Sequence, residues 1–211
     1  MINIAICDDH KIVREGLKSI ISVFNDFKVI ADVESGEALI KNLLTQQPEI
    51  IVLDLSLPGR SGLEVLKQIK SSYPDIKVLV LSMYPEDQFA IRTLKAGASG
   101  YLHKDSPPEV LVEALRTIAN GGEYLSSKIT NLLFKEVNSK GGAKPHKTLS
   151  DREYEVLLYI GAGKSISDIA NQLSLSVKTI STYRSRILEK MDMDNNSDLV
   201  KYILLHDLEM Q

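Results

Sequence analysis

Three aspartates stand where apolar runs stop. The stretch "IAICDDH" (4–10) ends in Asp8 and Asp9 before His10, and "IIVLDLSLPG" (50–59) passes through Asp54. Carboxylates gathered in one crevice repel one another, so they must be protonated or face a cation. Oxygen donors few in number suit Mg²⁺, which keeps water ligands and takes a phosphoryl group as partner. A cation among carboxylates can hold a phosphoryl group while one carboxylate attacks it, giving an aspartyl phosphate. Two more apolar runs end in groups that a phosphoryl oxygen would bind: "VLVLSMY" in the hydroxyl of Ser82 and "GYLHKD" in the ammonium of Lys104. Singly these signals are weak. A paired Asp is ordinarily a solvated turn or cap, a lone lysine a surface residue, a lone serine a group bonded to backbone. Their joint placement at strand ends carries the weight. His10 reads as the start of a helix and is a poor choice for an oxygen-preferring cation.

Positioning such groups requires a sheet whose strand ends meet. Short apolar runs occur at Ile2–Cys7, Phe27–Val33, Ile50–Leu53, Ile76–Leu81 and Gly100–Leu102, separated by stretches of helical spacing such as Val13, Leu17, Ile20, Ile21 and Phe24. Alternation of strand and helix implies a parallel sheet covered on both faces, and right-handed crossovers restrict it to a doubly wound fold. In the order 2-1-3-4-5 the first and third strands flank the point where the winding reverses, which is where ligands bind. Asp8, Asp9 and Asp54 then share one crevice, with Ser82 and Lys104 on the same rim.

Beyond residue 122 the pattern changes. Residues 126–137, "SSKITNLLFKEV", could form a short helix inside a linker spanning 123–147, whose end "NSKGGAKPHK" is rich in glycine and lysine and lacks apolar periodicity. From 148 to 211 only helical spacing remains, over 150–162, 165–173, 177–191 and 197–208, which predicts a small all-α four-helix domain. "LSDRE" has Ser150 as cap with Glu153 at the reciprocal position, and Leu149 placed to staple onto Tyr154. Residues 166–191 divide into a short helix, a tight "SLS" break and a longer helix from Val177, the helix-turn-helix pattern in which the second helix enters the major groove. Val177, Ile180, Ile187, Leu188 and Met191 fall on one side of it, while Lys178, Thr182, Ser185, Arg186 and Glu189 project on the other. Residues 176–190 carry four basic groups against one acid, whereas the whole chain has net charge −3. Nucleic-acid binding must therefore come from this local patch rather than from bulk charge. Groove contacts are expected from Lys178, Ser181, Thr182 and Ser185, and backbone contacts from Arg184 and Arg186. A single domain so weakly charged is a poor DNA binder, and two copies on adjoining half-sites solve this. The last helix offers Leu199, Val200, Ile203 and Leu204 as an apolar strip, part of which must pack on the helix at 150–162. A single cysteine, Cys7, no membrane-length apolar stretch and no secretion signal fit a cytoplasmic protein.

These residues carry a resemblance. Positions 1–120 resemble the receiver domain of bacterial response regulators, and "LSDREYEVLLYIGAGKSISDIANQLSLSVKTISTYRSRILEKM" resembles the LuxR-type helix-turn-helix, so the chain is similar to the NarL/FixJ family. The resemblance implies that Asp54 is the phosphoacceptor for a sensor histidine kinase. It implies that Asp8, Asp9, Asp54 and the backbone carbonyl of Ser56 hold Mg²⁺. Lys104 would bind the phosphoryl group and Ser82 would be drawn towards it, leaving space into which Tyr101 turns from an exposed rotamer. It also implies dimerisation through the last helix and control of transcription on double-stranded DNA. One departure is Asp105, which stands where that family often has proline; a second is Ser181, where lysine is frequent.

Two other classes stay open at this level. A Mg²⁺-dependent phosphatase using Asp54 as nucleophile would want an acid or base nearby, and Ser56 stands where one would serve. A protein-interaction module that no longer binds DNA would show no salt-dependent shift with promoter fragments.

Overall fold

The computed structural model describes residues 1–138, 144–206 and 208, in two compact units covering 1–137 and 138–211. The first unit alternates β1 (Ile2–Cys7), α1 (Lys11–Ser22), β2 (Phe27–Val33), α2 (Gly36–Leu43), β3 (Ile50–Leu53), α3 (Gly62–Ser72), β4 (Lys77–Ser82), α4 (Glu86–Lys95), β5 (Gly100–His103), α5 (Pro108–Ala119) and α6 (Ser127–Asn138). The strands are parallel in the order β2-β1-β3-β4-β5, as the alternation predicts. Strand four runs one residue later than its apolar pattern suggested, so that Ser82 is its last rung opposite His103.

The sheet is buried on both faces because side chains alternate in direction along each strand. Ile4 and Ile6 point into a cluster with Leu17 and Ile21 of α1 and Leu111 and Leu115 of α5. Ala5 and Cys7, on the other face, are equally excluded from water. Cys7 is thus core, and its burial pushes the thiol pKa up.

Residues 123–138 depart from a free tether. Tyr124 bridges to Gly100 of β5, and α6 is held against α4 by Ser126 on Glu86 (2.7 Å), Lys128 on Asp87 (3.2 Å) and Lys95 on Glu136 (3.1 Å). Ile129 of α6 is fully buried. The linker read at 123–147 therefore contributes a packed helix to the first unit. Its glycine- and lysine-rich stretch, 139–143, lies outside the described residues.

The second unit contains a 3-10 turn (Pro145–Thr148) and helices α7 (Asp151–Gly161), α8 (Ile166–Gln172), α9 (Val177–Met191) and α10 (Asn196–Leu205). Reciprocal capping boxes open α7 at Ser150 and Glu153 and α8 at Ser165 and Asp168. Ser174, in the break between α8 and α9, takes a left-handed φ of 53°. That conformation turns the chain sharply between the two helices. Ile180, Ile187 and Met191 of α9 are buried, but Val177 is 51% exposed. Val177 opens the first turn and stays half in solvent, and so leaves the apolar side assigned to it.

Candidate phosphoacceptor site and nucleic-acid interface

The parallel ladders continue one rung past the strands and fix the site's backbone. Asp8 N–H donates to Val33 (3.1 Å), Asp54 N–H to Cys7 (2.9 Å) and Lys104 N–H to Ser82 (2.9 Å). Residues distant in sequence thereby emerge at one edge of the sheet. Lys104 Nζ lies 2.6 Å from Asp8 Oδ2 and 2.7 Å from Asp54 Oδ2, with its side chain 9% exposed. Asp54 Oδ1 accepts the Ser56 N–H at 3.1 Å, and Asp8 Oδ1 accepts the His10 N–H at 2.8 Å. Arg14, which sequence reasoning missed, donates from Nη1 to the Asp8 carbonyl at 2.7 Å. It sits one helical turn into α1, and only the folded loop brings it back.

The electrostatics leave a surplus of negative charge. Burial raises the pKa of Asp54, with Asp8 adding to the rise and Lys104 opposing it. Burial alone would depress Lys104, but its contacts with Asp54 and Asp8 outweigh it and the ammonium pKa is raised. One ammonium cannot neutralise both carboxylates and Asp9 as well. Asp9 Oδ1 is shielded from water and accepts no hydrogen bond; His10 Nδ1 lies 2.7 Å away, in ion-pair range without hydrogen-bond alignment. Single ligand atoms of Asp8, Asp9, His10 and Asp54 lie within 4.8 Å of one another. An orphaned carboxylate oxygen, a charge surplus and mainly oxygen donors suit a hard divalent cation. His10 joins this cluster through its place at the helix start, which the sequence signalled only as a cap.

Gly62 shows how tightly the loop after Asp54 is held. A Cβ there would lie 2.0 Å from the Asp54 carbonyl oxygen and 2.6 Å from Leu55 Cα. Both obstacles are backbone, so nothing nearby can yield by changing rotamer. Gly62→Ala is expected to destabilise the first unit by about 1–3 kcal/mol, the usual cost of overpacking. It should also weaken divalent-cation binding, because Asp54 must shift. Chemical denaturation with and without Mg²⁺ checks both effects.

Behind Lys104, the Ser82 hydroxyl is fully buried and accepts the Tyr84 N–H at 3.2 Å. The ring of Tyr101 is likewise fully inside, with its hydroxyl donating to the Tyr84 carbonyl at 2.6 Å. The exposed starting rotamer expected for Tyr101 is not the one present. The phenol finds an acceptor within the core, which removes the cost of burying its polar end. Burial raises its pKa, against a bond with Ser82.

In the second unit, Lys178, Ser181, Thr182, Ser185 and Arg186 are exposed along α9. Arg184 is half-buried, with Nε on Asn196 Oδ1 at 2.6 Å, which ties it to the start of α10. Thr182 and Ser185 turn their hydroxyls back onto the carbonyls of Lys178 (3.0 Å) and Ser181 (3.1 Å). Of the strip assigned to dimerisation, Leu199 and Ile203 are buried at 0% and 1% exposure. These two are core residues, packed inside the helical unit and out of reach of a second copy. Gly161 brings bare backbone against Ile203, and a Cβ at that glycine would meet Ile203 Cδ1 at 2.5 Å. Val200 and Leu204, together with the overlooked Leu205, line the outer surface of α10.

A sheet that presents paired acids, a buried phosphoacceptor-type aspartate and a lysine at one rim is the architecture of a phosphorylation switch, here coupled to a helix-turn-helix. Residues 4–116 match the family described as response regulator receiver domain, and residues 147–203 match bacterial regulatory proteins, luxR family. The chain is 37% identical to the oxygen regulatory protein NreC of Staphylococcus epidermidis, over 95% of this chain and 96% of that protein. It is 32% identical to the response regulator UvrY of Escherichia coli, over 99% and 96%. Among solved structures, the RcsB response regulator of Salmonella typhimurium superposes with a TM-score of 0.61 at 28% identity, over 97% of this chain and 98% of that one. An RcsB–DNA complex gives a TM-score of 0.61 at 29% identity, over 96% and 97%. The chain belongs to the NarL/FixJ response regulators, two-component proteins in which a receiver is joined to a LuxR-type DNA-binding domain. No helix among the described residues is long and apolar enough to cross a membrane.

Proposed function

We propose that a sensor histidine kinase phosphorylates Asp54 in the cytoplasm and that this controls dimerisation and sequence-specific DNA binding. The observation that carries the reading is Lys104 Nζ held between the carboxylates of Asp8 and Asp54. An ammonium so placed meets an incoming phosphoryl oxygen without searching for it. An Asp54 carboxylate oxygen attacks phosphorus, the phosphorus–nitrogen bond to the kinase imidazole breaks, and that nitrogen recovers its electron pair. Asp8, Asp9, Asp54 and the Ser56 carbonyl would hold Mg²⁺, which supplies positive charge to the carboxylates and the transferred group. Lys104 exchanges a carboxylate for a phosphoryl oxygen. Ser82 turns its hydroxyl from Tyr84 N–H towards the new anion, and Tyr101, bonded to the same Tyr84 backbone, reports that movement to the face formed by α4 and β5. The chain assists its own phosphoryl transfer and hydrolysis and does not turn over a separate substrate. The functional boundaries are a receiver over 1–122, a linker segment over 123–147 whose α6 packs onto that receiver, and a DNA-binding domain over 148–211.

Mg²⁺ should stabilise the wild-type receiver by about 2.7 kcal/mol at a hundredfold excess over its Kd, and so raise its unfolding temperature. Asp9→Asn should remove most of this, as differential scanning calorimetry would show. The whole reading is tested by DNA affinity and oligomeric state with and without beryllofluoride plus Mg²⁺. Equal behaviour in the two conditions would defeat the switch and leave the DNA-binding domain standing.

On DNA, Lys178, Ser181, Thr182 and Ser185 face the groove, and Arg186 with Arg184 serves the phosphate backbone. Dimerisation uses the exposed part of α10. One solved RcsB structure contains two dimers on two DNAs, which supports a paired arrangement here. Leu204→Glu should abolish self-association of the activated protein without changing the monomer's stability, because Leu204 is 56% exposed. Ile203→Ala should instead cost about 2–5 kcal/mol of folding free energy. Sedimentation and urea unfolding separate these two outcomes.

A further inference from the structure

Helix α9 presents DNA with a more apolar surface than its sequence suggests. At 3.6 residues per turn, its exposed arc runs in order through Val177, Ser181, Ser185, Lys178, Glu189, Thr182 and Arg186, with Glu189 in the last turn, away from the helix start. Val177 is a β-branched hydrophobe left 51% exposed at one edge of that arc, within the first turn. The first turn of a recognition helix is the part that meets base edges. Thr182 commits its hydroxyl to the Lys178 carbonyl at 3.0 Å. The two branches at its Cβ diverge, so the methyl is turned away from that carbonyl. Ser185 likewise commits its hydroxyl proton to the Ser181 carbonyl at 3.1 Å. Two of the groups that would otherwise donate to base acceptors are thus bonded to their own helix. Along this arc the remaining direct donors are Lys178, Ser181 and Arg186.

An apolar group in the major groove has one distinctive target, the 5-methyl of thymine, which no other base presents there. We propose that Val177, seconded by the Thr182 methyl, reads thymine methyl groups, so that each preferred half-site carries thymine opposite the first turn of α9. This rests on the DNA-binding reading above and specifies the chemistry by which that domain discriminates. A purely electrostatic helix would need no exposed valine at that position, and solvent exposure of its side chain is unfavourable in the free protein.

The test uses the full-length chain activated with beryllofluoride and Mg²⁺. Duplexes are selected from a randomised library, and each thymine of the winning sequence is replaced singly by deoxyuridine, which removes only the methyl. At one or more positions per half-site, uracil should weaken wild-type binding about fourfold, the worth of one buried methyl group. Val177→Ala, which keeps a good helix former on an exposed site, should lose the thymine-over-uracil preference at the position opposite the first turn of α9. Lys178→Gln should weaken both and preserve their ratio. Equal binding of all uracil duplexes by the wild type would overturn the proposal, as would an undiminished ratio in Val177→Ala. Failure to retain any duplex would remove the DNA-binding reading itself, and with it the proposal.

Discussion

Asp54→Asn is expected to reduce phosphoryl incorporation to background while leaving the protein folded. The amide keeps the shape of the carboxylate and can still accept the Ser56 N–H that holds Oδ1. What it loses is nucleophilicity, since the carbonyl oxygen of an amide carries no full charge to attack phosphorus. Label from a phosphorylated kinase, or from acetyl phosphate with Mg²⁺, measures this directly. A rate equal to wild type would remove Asp54 from the chemistry, because Asp8 and Asp9 would then be accepting the group. The stability effect has the opposite sign. Burial raises the pKa of Asp54, so the folded state holds its proton more tightly than the unfolded chain does. Such a group destabilises the fold at neutral pH, and the penalty is relieved as pH falls through the raised value. In metal-free buffer Asp54→Asn should therefore unfold at a higher temperature than wild type at pH 7, with the gap closing on acidification. Mg²⁺ should narrow the gap as well, since an ion bound there would stabilise the three-acid site more than the two-acid one.

Much of this site was legible because strand ends are legible. Period-two burial on both faces marks where each strand stops, and the winding rule places the ends of the first and third strands side by side. Asp8, Asp54, Ser82 and Lys104 needed nothing further. The misses share one physical cause, which is that solvent exposure depends on partners distant in sequence. Leu199, Val200, Ile203 and Leu204 form one stripe by periodicity, yet Ile203 packs against Gly161 while Leu204 is left 56% exposed. Val177 belongs to the apolar side by angle, but its position at the helix start leaves it uncovered. Tyr101 alternates as a strand residue whichever way its ring points, and the carbonyl that holds it belongs to Tyr84, on a different strand's exit. The docking of α6 on α4 uses Glu86, Asp87 and Glu136, and α6 buries Ile129, none of which stands out in a charged, amphipathic helix read alone.

The largest stability effect should come from Lys104→Met. The methionine fills the same channel, so little packing is lost, and the charge is removed from between Asp8 and Asp54. Both acids are nearly inaccessible, at 2% and 1% exposure, and water cannot replace the lost ammonium. Removing one partner of a buried ion pair typically costs about 3–5 kcal/mol, because the remaining charge is left without compensation. The linkage sign follows from the raised pKa of Lys104: its contribution is complete at neutral pH and is lost as pH rises through that raised value. Two further measurements distinguish charge from shape. Combining Lys104→Met with Asp54→Asn should cost much less than the sum of the separate changes would suggest, since the second substitution removes the carboxylate that the first strands. Adding Mg²⁺ to Lys104→Met should recover much of the lost stability, because the ion brings positive charge to the same oxygens. It should not recover the coupling of phosphorylation to DNA binding, for which a donor must reach the phosphoryl group from the β5 side. A metal-free loss below about 1 kcal/mol, the range of exposed pairs, would mean that Lys104 sits in solvent-like surroundings. The roles proposed for Lys104, balancing the acids before phosphorylation and binding the phosphoryl oxygen after it, would then fall.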